Sequence, residues 1–238
     1  TLDDLPIPLF KTVNVIIGSV LKFTKKVNGE RIYLAVKGGF DLEKWLGSVS
    51  YNQAVKLPNL KIEKGLSVKL KNEGQVEKTV WLGRQPLLRA GRPPLRSGFR
   101  FLPAPEYHHL TEESRKLLQN SPFQITKDAN RMGYRLAGVG LRTTEKVSLL
   151  SSAVTFGTMQ LLPDGQIIVL MASHQTTGGY PRIGTIIGVD LPLLAQCGAD
   201  QIIGFEPITT SEAEQLLLHR ERYFRRLKTS VAFRFRNR

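Results

Sequence analysis

Cysteine and histidine are scarce in this sequence: 238 residues hold one cysteine, Cys197, and four histidines, His108, His109, His174 and His219. A lone thiol closes no internal disulfide, and no Cys or His cluster has the spacing of a zinc or iron–sulfur site. Disulfide-stapled and metal-stapled classes therefore drop out, and a reducing compartment, the cytoplasm, is the expected location. His108 and His109 would point to opposite faces of an extended chain, which argues against a shared metal. No apolar run approaches the roughly 20 residues that cross a bilayer. The opening TLDDLPIPLF carries acids and no lysine-flanked apolar stretch, so neither an export signal nor a membrane span is expected. Catalytic signatures are missing too. No glycine-rich loop ends in Gly-Lys-Ser or Gly-Lys-Thr, and there is no His-Glu-x-x-His and no Gly-x-Ser-x-Gly, which sets aside self-contained NTPase, zincin and α/β-hydrolase readings. Without internal repeats or low-complexity tracts, solenoid and linker readings go as well.

What is present is a hydrophobic fraction of 41%, enough for a real core, and a net charge of +14 from 34 basic and 20 acidic residues. Such an excess fits nucleic acid, an anionic membrane surface or an acidic protein partner. Much of it lies in the last twenty residues, HRERYFRRLKTSVAFRFRNR, and the rest is scattered as a solvated surface. An acidic partner protein is the expectation. Phe233 and Phe235 alternate with Arg234 and Arg236 as the apolar face of a strand would, so they read as core rather than as a stacking platform. Nucleic-acid binding is expected to be weak, salt-sensitive and without specificity.

The chain reads mostly as strands. Thr12–Ile17, Arg31–Val36, Leu66–Leu70, Gly98–Leu102, Phe156–Leu161, Ile167–Ala172 and Ile183–Val189 are short, rich in valine and isoleucine, and separated by turn residues, a spacing that points to a barrel or sandwich. Pro163-Asp164-Gly165 predicts a hairpin turn, with proline fixing φ and glycine supplying positive φ. Helices are few. One is expected from Thr111 through Leu118, with acids in its first turn. A second is expected from Ser211, capped with Glu214, with Ala213, Leu216, Leu217, Phe224 and Leu227 on one face. A strand over Val231–Arg236 is expected to follow it. The Gly91-Arg92-Pro93-Pro94 stretch marks a stiff connection at 85–97, dividing a β domain at 1–84 from a second at 98–238.

The chemically informative run is His174-Gln175-Thr176-Thr177-Gly178-Gly179-Tyr180-Pro181. It sets an amide, two hydroxyls and a phenol beside two glycines that let a ligand approach backbone N–H groups. Its bland reading is a Gly-Gly turn between core strands, the threonines capping loose backbone groups. Tyr180-Pro181 can take a cis bond, although most such bonds are trans.

Phe156 to Phe205, with Asn130-Arg131-Met132-Gly133-Tyr134-Arg135-Leu136 and Ile32-Tyr33-Leu34-Ala35-Val36-Lys37-Gly38-Gly39-Phe40-Asp41, resembles three motifs in order from the biotin-dependent carboxyltransferase-like family, which includes the C subunit of 5-oxoprolinase and allophanate hydrolase subunit 2. The resemblance implies a mainly β fold of cyclophilin-like barrel architecture with a few short helices. It also implies a role beside sister subunits A and B in the ATP-dependent opening of 5-oxoproline, with ATP bound at the level of the complex. Substrate-binding residues under this reading are Arg131, His174, Gln175, Thr176, Thr177, Gly178, Gly179 and Tyr180. Gln175 would pair with an amide edge, the threonine hydroxyls with carboxylate or phosphate oxygens, and the Gly178 and Gly179 N–H groups with a developing oxyanion. Arg131 would hold a carboxylate through two parallel hydrogen bonds, and its competing reading is an ion pair locking a strand.

Departures from the family pattern also carry information. Gly47-Ser48-Val49-Ser50-Tyr51 lacks an arginine many relatives place there, Ala104 replaces a glycine, and His174 replaces the usual arginine before Gln-Thr-Thr. The last change shifts the expectation from carboxyl transfer to urea, which would need biotin, toward 5-oxoproline hydrolysis. A non-enzymatic role as regulatory partner of a kinase inhibitor is the remaining alternative. Family members have a region before the segment that Thr1 to Phe10 resembles, so the N-terminal β domain is expected to be incomplete.

Overall fold

A computed structural model describes residues 1–51, 61–71, 98–145, 147 and 149–236. The expected connection at 85–97 lies outside the described residues. The chain groups into two compact units: among described residues, one comprises 1–23 with 32–71, and the other 24–31 with 98–236.

The described residues of the first unit hold little regular structure. Strands β1 (Phe40–Asp41) and β2 (Lys69–Leu70) pair antiparallel, Phe40 opposite Leu70, after a turn in which Gly38 and Gly39 take positive φ of 77° and 80°. The strands expected at Thr12–Ile17 and Arg31–Val36 are not formed, and Leu66–Leu70 contracts to β2. The reason is missing packing. Val15, Ile16, Ile17, Ile32, Tyr33 and Leu34 are exposed, and β-branched residues favour strands only where a pleated face is covered. None of the unit's described residues is buried.

The second unit is built on ten further strands. In chain order they are β3 (Phe99–Pro103), β4 (Phe123–Ile125), β5 (Gly133–Ala137), β6 (Ser152–Ala153), β7 (Thr158–Leu161), β8 (Ile167–Leu170), β9 (Thr177–Gly178), β10 (Arg182–Ile186), β11 (Ile202–Ile203) and β12 (Phe205–Pro207). Eight of them form one sheet in the order β11-β4-β5-β8-β7-β10-β3-β12. Its two edge strands are β11 and β12, which are consecutive in the chain with only Gly204 between them. The chain itself thus joins the edges, and the mainly β barrel expected from the sequence forms as a nearly closed sheet. β6 and β9 make a separate two-stranded sheet.

Local chemistry explains the joints. β7 and β8 are the predicted hairpin, Leu161 opposite Ile167, with Gly165 at φ 81° donating to the Leu162 carbonyl at 2.9 Å. The first helix, α1 (Glu112–Asn120), begins as expected, the Thr111 hydroxyl accepting from the Ser114 N–H at 3.1 Å. A one-turn helix, α2 (Leu191–Leu194), was not expected. The last, α3 (Thr210–Arg236), differs from expectation twice. Its capping box is Thr209 with Glu212, not Ser211 with Glu214: the Thr209 N–H and hydroxyl each donate to Glu212 at 2.8 Å. The helix also runs on through Val231–Arg236, replacing the expected strand. No glycine or proline interrupts that segment, no described strand lies beside it to complete a ladder, and helical spacing sets Leu227 and Val231 on one face.

Among the described residues the core lies wholly inside the barrel unit. Phe101, Leu110, Leu118, Phe123, Ile125, Leu136, Met159, Ile167 and Ile183 are buried, and the Phe205 ring meets Phe123 and Phe101 at centroid distances of 5.6 and 6.4 Å. One ion pair is enclosed as well. Arg100 reaches the fully buried Asp190 through its backbone N–H at 2.9 Å, Nε at 3.0 Å and Nη2 at 2.5 Å, tying β3 to the start of α2.

Candidate functional site

Pairing of β5 with β8, Gly133 opposite Leu170 and Leu136 opposite Ile167, brings the Asn130–Leu136 motif against the Phe156–Pro181 motif. Contact continues past the strand ends: the Met171 N–H donates to the Met132 carbonyl at 2.9 Å, and the Ser173 N–H to the Arg131 carbonyl at 2.8 Å. Arg131 therefore stands beside the root of the His174–Pro181 loop, two segments far apart in sequence. Its position is held locally by Asn130, whose side chain accepts from the Met132 N–H at 2.8 Å.

The loop is not a Gly-Gly turn. Its centre is β9, antiparallel to β6, with Gly178 opposite Ser152 and Thr177 opposite Ala153. The Val154 N–H donates to the Thr176 carbonyl at 3.1 Å, so Thr176 occupies a hydrogen-bonded position of the ladder and Gly178, two residues on, occupies the next. The Gly178 N–H is thereby turned toward β6. Gly179 lies beyond the ladder. Among the described residues the side chains of Arg131, Gln175, Thr176 and Thr177 have no hydrogen-bond partner, and all four are exposed. His174, half-buried, places Nδ1 against the Gln175 carbonyl. Tyr180 is exposed, and none of the described peptide bonds is cis, that before Pro181 included.

Three residues that the sequence reading passed over support this loop. Gln160 is buried beneath it and donates to the Tyr180 carbonyl at 3.4 Å, and a Cβ on Gly178 would lie 2.5 Å from its Nε2. The signal was there, an amide side chain set between Met159 and Leu161 in β7. At the loop's exit, Arg182 is clamped by Glu106: its N–H donates to Oε2 at 3.0 Å, its Nε to Oε2 at 2.8 Å and its Nη2 to Oε1 at 2.7 Å. These side-chain hydrogen bonds hold the Glu106 carboxyl below its ordinary range against the opposing effect of burial, and raise the Arg182 guanidinium. Glu106 is carried on a 3-10 turn, Pro105–His109, in which the His108 and His109 rings lie 4.0 Å apart rather than on opposite faces.

Another concavity sits on the far side of Tyr134. Glu30, Arg31, Ala129, Tyr134, Cys197, Gly198 and Ala199 line a cavity of about 270 Å³. Arg31 donates to the Tyr134 hydroxyl at 2.8 Å and to the Ala195 carbonyl at the C-terminus of α2, where a helix favours a cation. The Gln196 amide bonds the Glu30 N–H, the Arg31 N–H and the Arg31 carbonyl. These contacts fasten the 24–31 segment to its unit and account for the polar lining. Burial pushes the Cys197 thiol up to about 11, which keeps it protonated and unreactive at neutral pH. No group of His, Cys, Asp and Glu among the described residues is arranged to hold a metal ion.

The chain belongs to the family of the carboxyltransferase domain, subdomains A and B, whose pattern matches residues 1–207. Within that family it is similar to the C subunit of 5-oxoprolinase from Escherichia coli, 37% identical over 88% of this chain and 66% of the relative. It is also similar to the C subunit of 5-oxoprolinase from Haemophilus influenzae, 32% identical over 97% of this chain and 73% of the relative. The chain thus spans about two thirds to three quarters of these curated relatives. The crystal structure of the K. lactis urea amidolyase shares the fold, with a TM-score of 0.56 and 17% identity over 78% of this chain and 12% of that one.

Proposed function

We propose that this chain is one component of an ATP-dependent 5-oxoprolinase, acting with sister subunits A and B to open 5-oxoproline to glutamate in the cytoplasm. What carries the reading is similarity to the two 5-oxoprolinase relatives along most of the chain. In this reading the substrate meets the face formed by Arg131 and the 174–180 loop. The Arg131 guanidinium takes the substrate carboxylate, Gln175 the ring amide, and the Thr176 and Thr177 hydroxyls further oxygen atoms. Gly179, outside the β6–β9 ladder, offers its N–H to the oxyanion that develops at the ring carbonyl, while Gly178 keeps the loop close to Gln160. His174 and Tyr180 flank this set. Neither Gly178 nor Gly179 has the left-handed backbone of a phosphate-cradling turn, so ATP is assigned to the complex as a whole. The division of the chain at 85–97 belongs to the same proposal.

Reconstitution tests it. The purified chain alone should release no glutamate from 5-oxoproline, and addition of subunits A and B should give ATP-dependent release. Arg131→Ala should lower kcat/KM of that mixture roughly 10- to 100-fold, the equivalent of a lost charged hydrogen-bond pair. No release from the complete mixture would overturn the reading. ATP consumption that instead required urea, bicarbonate and a biotinylated carrier would transfer the chain to the carboxyltransferase alternative.

A further inference from the structure

Helix α3 divides its surface in two. Leu216, Arg220, Phe224, Leu227 and Val231 are half-buried and recur at three- and four-residue intervals, which is one helical face. Arg220 on this face donates to the Gly188 carbonyl at 2.7 Å, which turns the face toward the barrel at that point. The opposite side runs Leu218, Arg222, Arg225, Thr229 and Phe233, again at three- and four-residue intervals, and every one of these is exposed, Leu218 to 53% and Phe233 to 65%. This stripe is about 22 Å long at the α-helical rise. Arg226 adjoins it.

Charge on the helix is one-sided. From Arg220 to Arg236 there are seven arginines and lysines and one acid, Glu221, whose carboxylate lies 3.6 Å from Arg220. Arg222, Arg225 and Arg226 have no carboxylate partner among the described residues. Three like charges within about one turn repel one another, a cost that an apposed acidic surface removes.

We propose that the outward stripe of α3 is a docking surface for an acidic face of a sister subunit, with Leu218 and Phe233 as apolar anchors at its two ends; this rests on the 5-oxoprolinase reading. The helix's own geometry argues for protein over the other anionic partners. A helix lying in a membrane inserts an apolar face opposite its cations, but here the face opposite the cations is already half-buried in the chain itself. Single-stranded nucleic acid is gripped by a succession of aromatic residues along a basic groove, whereas this stripe has one ring, at its far end.

The test is binding of the full chain to subunits A and B, measured by calorimetry or analytical ultracentrifugation. Arg222→Glu/Arg225→Glu/Arg226→Glu should weaken the complex on the order of 100-fold or more. The neutral triple variant with Gln at the same positions, which keeps helix propensity, should also weaken it and flatten its salt dependence. Far-UV circular dichroism equal to wild type shows that the helix has survived in each. Both variants binding like wild type would remove the docking surface while leaving the 5-oxoprolinase reading intact. Absence of any complex with the wild-type chain would overturn both. Stripe-dependent binding of phosphatidylserine vesicles or a single-stranded oligonucleotide at physiological salt, in place of the subunits, would overturn the docking proposal in favour of that ligand.

Discussion

Glu106 is a carboxylate with only 9% of its side chain exposed, on the 3-10 turn Pro105–His109 and beside a loop of unpaired polar groups. Left alone there it would be driven to its neutral form, because burial penalises charge. Three donors from Arg182 reverse that, and the carboxyl is held below its ordinary value of 4.5. The consequence for stability follows from linkage. A carboxyl with a depressed folded-state pKa contributes fully above the unfolded value, and that contribution is lost as pH falls through the lower folded value. Glu106→Gln should therefore cost about 1.5–3 kcal/mol at pH 7, the range for hydrogen bonds to a charged group. Urea unfolding followed by circular dichroism should show the gap between variant and wild type at pH 7 closing well below pH 4.5. A gap unchanged at acid pH would mean that Glu106 contributes shape rather than charge.

At the scale of elements, the sequence was legible where local chemistry decides and misleading where packing does. The β7–β8 hairpin and the Thr111 cap were readable because Pro163-Asp164-Gly165 and Thr111 with its acids act within a few residues of themselves. Val231–Arg236 was not, because an alternating pattern makes a strand only when another strand meets it, and here the helical hydrogen bonds simply continue. The candidate site divides in the same way. Arg131 and the 174–180 loop were visible as residues, but their juxtaposition depends on the β5–β8 register, and the support from Gln160, Glu106 and Arg182 depends on contacts between distant segments. Gly178 now reads as a packing requirement rather than a turn residue. A methyl group there would meet Nε2 of the buried Gln160 at 2.5 Å, so the amide has to shift to admit it. Gly178→Ala should cost about 1–3 kcal/mol as overpacking. In a Gln160→Ala background the same change should cost clearly less, giving a coupling energy of about 1 kcal/mol or more in a double-mutant cycle. Additive effects would separate the two residues and leave the position of the loop to Glu106 and Arg182.

The whole molecule is uneven in a way that fixes where its stability resides. Among the described residues the hydrophobic core runs from Phe99 to Phe205, and none of the described residues of 1–23 or 32–71 is buried. Within the barrel unit one crossing closes the ring. Gly98 at φ 75° precedes β3, and the Phe99 N–H donates at 2.7 Å to the carbonyl of Gly204, the residue that joins the sheet's two edge strands. A Cβ on Gly98 would lie 2.4 Å from the Gly204 carbonyl carbon, backbone against backbone, and its left-handed φ is unfavourable for any other residue. Neither side can yield by rotating a side chain. Gly98→Ala should therefore cost roughly 3 kcal/mol or more, combining backbone strain with a steric overlap. Hydrogen exchange followed by mass spectrometry locates the effect. In the wild type, protection should concentrate in the barrel strands, with amides of 1–23, 32–51 and 61–71 exchanging early because few buried contacts hold them. In Gly98→Ala, protection should fall first in β3, β12 and β11, where the ring closes, and leave the early-exchanging amides as they were. A loss spread evenly over both units would show that they unfold as one, and unchanged protection in β3, β11 and β12 would show that the barrel does not depend on the Gly98–Gly204 crossing.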